Sequence, residues 1–346
     1  MHSVIIHAPH DLRLGQLDDP ASPDDNAVTV QIDKGGICGS DLHYYHNGGF
    51  GTVKIREPMI LGHEVAGTII ATGKTVSDFA VGDKVAVNPS MPCNECVYCR
   101  ANMRNQCLDM RFFGSAMRFP HQQGLFRQKI NLPCEQLVKL APETSLEHAA
   151  CAEPLAVCLH AVRQAGSLSG KRVLVSGCGP IGCLTVMAAA HSGAHWITAT
   201  DLSNAALDIA ARAGANSCIN VASDSDSFKQ LGTNKGTQDV VFECSGSPQA
   251  LAGALEIVKP GGTVITVGLG GNGELPLSLA VTKEVRMIGS FRFDAEFAQA
   301  AELIDRGVID VSPLISSVLP FGDARAAFDL ASDRSKSMKV QLDFAS

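Results

Sequence analysis

Hydrophobic residues in the first 145 or so positions come in short bursts, VTVQI, VAGTII, KVAV and EQLVKL, punctuated by Gly, Pro and Asp. Bursts of that length predict β-strands, and their irregular spacing predicts an antiparallel barrel or sandwich with few helices. From about residue 150 the pattern changes. Strand-like VLVSG, WITATD, DVVFECSG and TVITVG alternate with helical LTVMAAAHSGA, NAALDIAARAGA and PQALAGALEIV, the rhythm of a parallel βαβ sheet. After about Ser290, helical FAQAAELIDRG and ARAAFDLA and a terminal KVQLDF break the alternation, which assigns this tail back to the first domain. The predicted fold class is α/β, with a β-rich domain over residues 1–148 and 290–346 and a doubly wound parallel-sheet domain over 149–289.

A chain of 346 residues exceeds one comfortable hydrophobic core, in keeping with two domains. The apolar run Val173 to Ala190 has the length of a membrane span, but Gly177, Gly179, Pro180 and Gly182 interrupt it, so it reads as strand, turn and helix. MHSVIIHAPHDLRLG lacks the charged and apolar regions of a signal peptide and reads as a first strand. The twelve cysteines are then expected as reduced thiols in a cytoplasmic protein. A formal net charge of −7 argues against nucleic acid or an anionic membrane as partner.

Four cysteines, Cys93, Cys96, Cys99 and Cys107, follow the spacing CxxCxxCx7C. Thiolates so spaced can surround one tetrahedral Zn²⁺, leaving no position for substrate, which makes the site structural; disulfide pairs are the alternative. The second domain carries Gly177, Gly179 and Gly182 in SGCGPIG, directly after the strand VLVS, with Pro180 and Ile181 opening the helix. In that context the glycines form a dinucleotide fingerprint: a tight turn, close approach of backbone to pyrophosphate, and close helix packing. Asp201 ends the next strand 19 residues after Gly182, where a carboxylate accepts ribose hydroxyls and repels a 2′-phosphate. NAD is therefore preferred over NADP, with Val267 and Gly268 at the end of TVITVG also on the cofactor. The alternative is a glycine-rich turn in an ordinary α/β domain.

A second metal set is dispersed: Cys38 in GGICGSDLHYY, His63 and Glu64 in LGHEVAG, and Glu153 in CAEPLAV. A thiolate, an imidazole and a carboxylate make a mixed shell with an open position, the mark of catalytic zinc, for an expected two Zn²⁺ per chain. Taken singly, Cys38 reads equally as a small buried hydrophobe and His63 as a core histidine. Ser40 and His43 follow Cys38 closely enough for a proton relay, or else for local loop contacts.

Together these residues resemble the zinc-dependent medium-chain alcohol dehydrogenases. GHEVAGTIIATG, Gly62 to Gly73, is similar to that family's zinc signature, and the cysteine lobe follows in the expected place. The resemblance implies a GroES-like catalytic domain, an inserted Rossmann domain, hydride transfer between an alcohol carbon and nicotinamide, and a homo-oligomer, dimer or tetramer. Within the family it is similar to the polyol dehydrogenase branch, which implies Glu153 as a zinc-side or water-mediated contact and Arg292, in the segment Gly289 to Arg292, near substrate. That branch also implies Tyr44 and Phe112 as substrate-site residues. Phe293 departs from the tyrosine of the sorbitol enzymes, and DMRFFGSAM also differs from them, implying a small sugar acid rather than a plain polyol. A sugar acid needs a cation for its carboxylate; Arg111, Arg118, Arg127 and Arg292 are candidates, Arg292 first and Arg118 second. The rival readings are a sorbitol or xylitol enzyme, an L-threonine dehydrogenase, and a non-catalytic NAD(H)-sensing zinc module.

Overall fold

A computed structural model of the chain describes residues 1–345. It has two compact units, Met1–Glu153 with Phe297 onward, and Pro154–Glu296.

The first unit is built on the strand Ala27–Gly36, buried along most of its length. It pairs antiparallel with Glu64–Thr72, Lys129–Pro133 and Lys339–Asp343. Lys84–Val87 and Leu137–Lys139 extend the sheet beyond Glu64–Thr72, and Ile315–Pro320 extends it beyond Lys339–Asp343. The tail belongs here because its apolar face has nowhere else to go. Val340, Leu342, Phe328 and Phe344 join Ile32, Ile69, Val85 and Phe126 in one buried cluster. Ile315–Pro320, the helix Ala324–Ser332 and Lys339–Asp343 form a parallel strand, helix, strand unit on an otherwise antiparallel sheet.

The segment after Cys38, read from sequence as a loop, is the helix Gly39–Asn47. Asp41, at its third position, accepts the Cys38 amide at 3.0 Å and so supplies the start signal. Gly48, at φ 63°, ends it with its N–H on Tyr44 O. Tyr44 and Tyr45 are buried, at 1 % exposure, which seats the helix against the core.

The second unit has six parallel strands in the order Ser217–Asn220, Trp196–Asp201, Arg172–Ser176, Gln238–Glu243, Val258–Thr266, Arg286–Gly289. Strand order reverses between Arg172–Ser176 and Gln238–Glu243, the switch point where doubly wound sheets bind ligands. Central strands buried on both faces account for the unbroken apolar runs VLV and VVF. The Val173 to Ala190 run resolves into the first of these strands, a glycine turn and the helix Pro180–His191. Among the described residues no helix is long and apolar enough to cross a membrane.

Candidate active site

In the cysteine lobe, the sulfurs of Cys93, Cys96, Cys99 and Cys107 all lie within 4.8 Å of one another. Cys93 Sγ is 3.4 Å from Cys107 Sγ and 4.0 Å from Cys99 Sγ, and Cys96 Sγ is 4.0 Å from Cys107 Sγ. Sulfurs at about 2.3 Å from one tetrahedral ion stand about 3.8 Å apart, so the lobe fits zinc without rearrangement. These separations are far longer than an S–S bond, and all twelve cysteines are free thiols. The amides of Leu108 and Cys99 hold the Cys96 thiol down at about 6, whereas burial pushes Cys99 up to about 12. A metal held here must therefore displace protons.

The second group forms where two chain segments are tied together. Asp41, fully buried, accepts the amides of Cys38 at 3.0 Å and Gly62 at 3.2 Å, which brings the residues on either side of the site into register. Burial pushes the Asp41 carboxyl up. Cys38, His63 and Glu64 then present ligand atoms within 4.8 Å of one another. His63 is buried and its Nδ1 makes no hydrogen bond, with Asp41 Oδ1 at 3.8 Å. Burial alone would strip a proton from this ring, but Asp41, Cys38 and Glu153 outweigh it and lift His63 to about 10. A pocket with that appetite for positive charge, with thiol, imidazole and carboxylate donors and an orphaned ring nitrogen, fits zinc. Glu153 is buried near the start of the helix Ala152–Ala165 and acts on His63 through its charge.

Sequence reasoning missed Lys339. It is 3 % exposed and its Nζ donates to both Glu64 oxygens, at 2.9 and 2.7 Å, and to Ile37 O at 3.3 Å. Burial opposes its charge, yet Glu64, Cys38 and Cys151 outweigh that and push its pKa up. A lysine in a short terminal strand looks like solvent-facing edge chemistry; only the pairing of that strand with Ala27–Gly36 puts it beside Glu64. Asp41 was missed too, although an acid at the third position of a helix is a readable start signal.

The other expected residues fall in varied places. Ser40 Oγ is 3.5 Å from His63 Nε2, and His43 is exposed on the same helix with its ring 5.9 Å from Phe50. The Phe112 ring lies 5.5 Å from His63. Tyr44 is buried and its hydroxyl accepts the Ala116 amide at 2.9 Å. Arg118 donates to the carbonyls of Met110, at 3.3 Å, and Leu108, and pairs with Asp109 at 3.3 Å, so its guanidinium is engaged in bracing the lobe's exit.

In the second unit, Arg292 has a left-handed backbone, φ 53°, with its guanidinium 5.1 Å from the Phe291 ring. The turn is anchored by Glu296, which accepts the Asp294 amide at 2.8 Å, pairs with Arg163 at 2.8 Å and lies 3.1 Å from His160. Burial opposes the Glu296 charge, but His160 and the Asp294 amide hold the carboxyl down at about 2.

The glycine loop sits at the switch point. Gly177 has φ 87°, and a Cβ there would come 2.7 Å from Ser245 Cβ; a Cβ on Gly182 would overlap Gly177 O. Gly179 immediately precedes the helix Pro180–His191, which starts at Pro180 with Ile181 next, so its free amides face the loop. Asp201 accepts the Cys178 amide at 2.7 Å and the Ser203 amide at 2.9 Å. Val267 and Gly268 both donate to Glu243 O, at 2.8 and 3.0 Å. A tight glycine turn at a helix N-terminus, with a fixed carboxylate at the next strand's end, fits a dinucleotide.

Comparison with known proteins agrees with this geometry. Residues 24–142 match the family model for the alcohol dehydrogenase GroES-like domain, and residues 180–306 match that for zinc-binding dehydrogenase. L-idonate 5-dehydrogenase (NAD(P)(+)) of Escherichia coli K12 is 44 % identical over 321 residues, 92 % of each chain. Sorbitol dehydrogenase of Bacillus subtilis 168 is 33 % identical, over 99 % of this chain and 97 % of its own. The crystal structure of the Escherichia coli L-idonate 5-dehydrogenase superposes with a TM-score of 0.94 at 41 % identity, covering 99 % of this chain and 97 % of that one.

Proposed function

The chain belongs to the zinc-binding alcohol dehydrogenase family, whose cofactor is NAD(P), and on that premise we propose that it oxidises L-idonate at C5 to 5-keto-D-gluconate, reversibly, with NAD preferred over NADP. The likeness to the Escherichia coli L-idonate enzyme over nearly the whole chain carries the substrate; the Cys38, His63 and Glu64 group supports the chemistry. The Bacillus subtilis sorbitol dehydrogenase, more distant in sequence, supports a polyol as the alternative.

Cys38 and His63 would hold the catalytic zinc with one carboxylate. Glu64 stands within 4.8 Å of the Cys38 and His63 donors but Lys339 holds both its oxygens, so Glu153, which lies outside that group, would have to move in to replace it as the ligand. When bound, the zinc would supply Lewis-acid polarisation of a hydroxyl and the dinucleotide would supply the hydride acceptor. Ser40 Oγ takes the hydroxyl proton. His43, three residues on along the same helix face and exposed, passes it to solvent. Phe112, against His63, shapes an apolar wall, and Tyr44, through the Ala116 amide, holds the segment that follows the lobe. Arg292 is assigned to the substrate carboxylate from the likeness to the polyol branch, and Arg118 is engaged with Leu108, Met110 and Asp109. Asp201, its carboxylate fixed by two amides, disfavours a 2′-phosphate. Cys93, Cys96, Cys99 and Cys107 would hold the second zinc and do no chemistry.

A homo-oligomer is supported by the outer strand Arg286–Gly289, an open edge with Met287 exposed. A monomer by light scattering would count against it. Twelve free thiols fit a cytoplasmic protein, and a disulfide in the purified enzyme would count against that.

Metal counting on Cys38→Ser tests the mechanism. The wild type should carry two zinc per chain, and the variant one, with activity lost and the fold kept. Full turnover by a variant with one zinc would refute the assignment.

A further inference from the structure

From the crest of the parallel sheet we infer that Glu243 is a positioning residue for the nicotinamide half of the dinucleotide; the inference rests on the NAD reading above. Glu243 ends the strand Gln238–Glu243 at the switch point and is 2 % exposed. Its Oε1 accepts the amides of Ser245 at 2.8 Å and Gly246 at 3.0 Å as well as the Ser245 hydroxyl. Oε2 takes a further bond from the Gly246 amide at 3.2 Å. Its main-chain oxygen accepts both Val267 N, at 2.8 Å, and Gly268 N, at 3.0 Å. One residue therefore fixes two successive loops, one through its side chain and one through its backbone.

Those loops are in close mutual contact. A Cβ on Gly268 would overlap the Gly246 amide, and Gly246 itself needs φ 70°. On its other side the 244–247 loop abuts Gly177, whose added Cβ would lie 2.7 Å from that of Ser245. The loop is thus a wedge between the glycine fingerprint and Val267–Gly268, and the Glu243 carboxylate is what sets its height. In a doubly wound sheet each side of the switch point takes one mononucleotide. Asp201 organises the adenosine side by holding Cys178 and Ser203. The strands Gln238–Glu243 and Val258–Thr266, across the switch, are left for the nicotinamide nucleotide. The two carboxylates at strand ends divide the cofactor between them.

The test is the affinity of the purified enzyme for NADH and for ADP-ribose, which lacks the nicotinamide, measured by calorimetry on wild type, Glu243→Ala and Glu243→Gln. Loss of hydrogen bonds to a charged group predicts NADH affinity weakened about tenfold or more in Glu243→Ala. ADP-ribose should stay within about twofold, because its contacts lie on the Asp201 side. Glu243→Gln, which keeps one acceptor oxygen, should recover most of the NADH affinity. If Glu243→Ala does not fold, Ser245→Ala, which removes one bond to the same carboxylate, should show the same split at smaller size. Unchanged NADH affinity, or equal weakening of both ligands, would overturn the inference. Wild-type protein that binds neither ligand would overturn the NAD reading together with it.

Discussion

Replacing Lys339 with methionine removes the cation bonded to Glu64 while keeping the apolar length of the side chain. Lys339 and Glu64 are 3 % and 1 % exposed, with Nζ 2.9 and 2.7 Å from the two oxygens. At that separation and an effective dielectric of about 20, the attraction is about 6 kcal/mol. Much of it offsets desolvation of the two charges, so the net cost of stranding the carboxylate is about 3 kcal/mol, up to about 5. The loss falls on the strand that carries Lys339, paired with Ala27–Gly36. Native-state hydrogen exchange with chelator present reads it locally: protection of amides in Lys339–Asp343 should drop about a hundredfold for 3 kcal/mol. Glu64→Gln in the same chain should restore most of it, giving a coupling of about 3 kcal/mol in the double-mutant cycle. Unchanged protection in Lys339→Met, or simple additivity of the two substitutions, would refute the claim that the pair is a buried, mutually dependent ion pair.

Three further outcomes follow from the geometry. Cys96→Ser should lose the lobe's zinc and lower solubility and melting temperature; a variant with normal zinc content and normal melting would count against a structural ion there. Asp201→Ala should narrow the NAD over NADP preference in kcat/KM, and unchanged discrimination would place cofactor choice elsewhere. Arg292→Gln should lower kcat/KM for L-idonate by about ten- to a hundredfold, the equivalent of about 1.5 to 3 kcal/mol, with less effect on sorbitol. Equal losses on both substrates would remove Arg292 from carboxylate recognition.

The second unit was the more legible in sequence. Its central strands are buried on both faces, so VLVS, ITATD and VVFE announce themselves, helices such as Asn204–Arg212 are amphipathic, and the glycine spacing locates the switch point. In the first unit the short runs predicted strands but not their partners. The helix Gly39–Asn47 was hidden because its composition, GSDLHYYHN, has little apolar periodicity; its start depends on the Asp41 contact and its seat on Tyr44 and Tyr45. Metal ligands were readable as residue types. Their neighbours were not, because Lys339 reaches Glu64 across 275 positions of sequence and nothing local marks it. The arginines show the same limit. Arg118 and Arg292 are equivalent as letters, and differ only in what each guanidinium touches.

The central claim is most directly tested by NADH formation at a fixed NAD concentration across L-idonate, D-gluconate, sorbitol, xylitol and L-threonine. The account predicts that L-idonate has the highest kcat/KM and that 5-keto-D-gluconate is its product. Sorbitol, xylitol or L-threonine turned over better than L-idonate would contradict it.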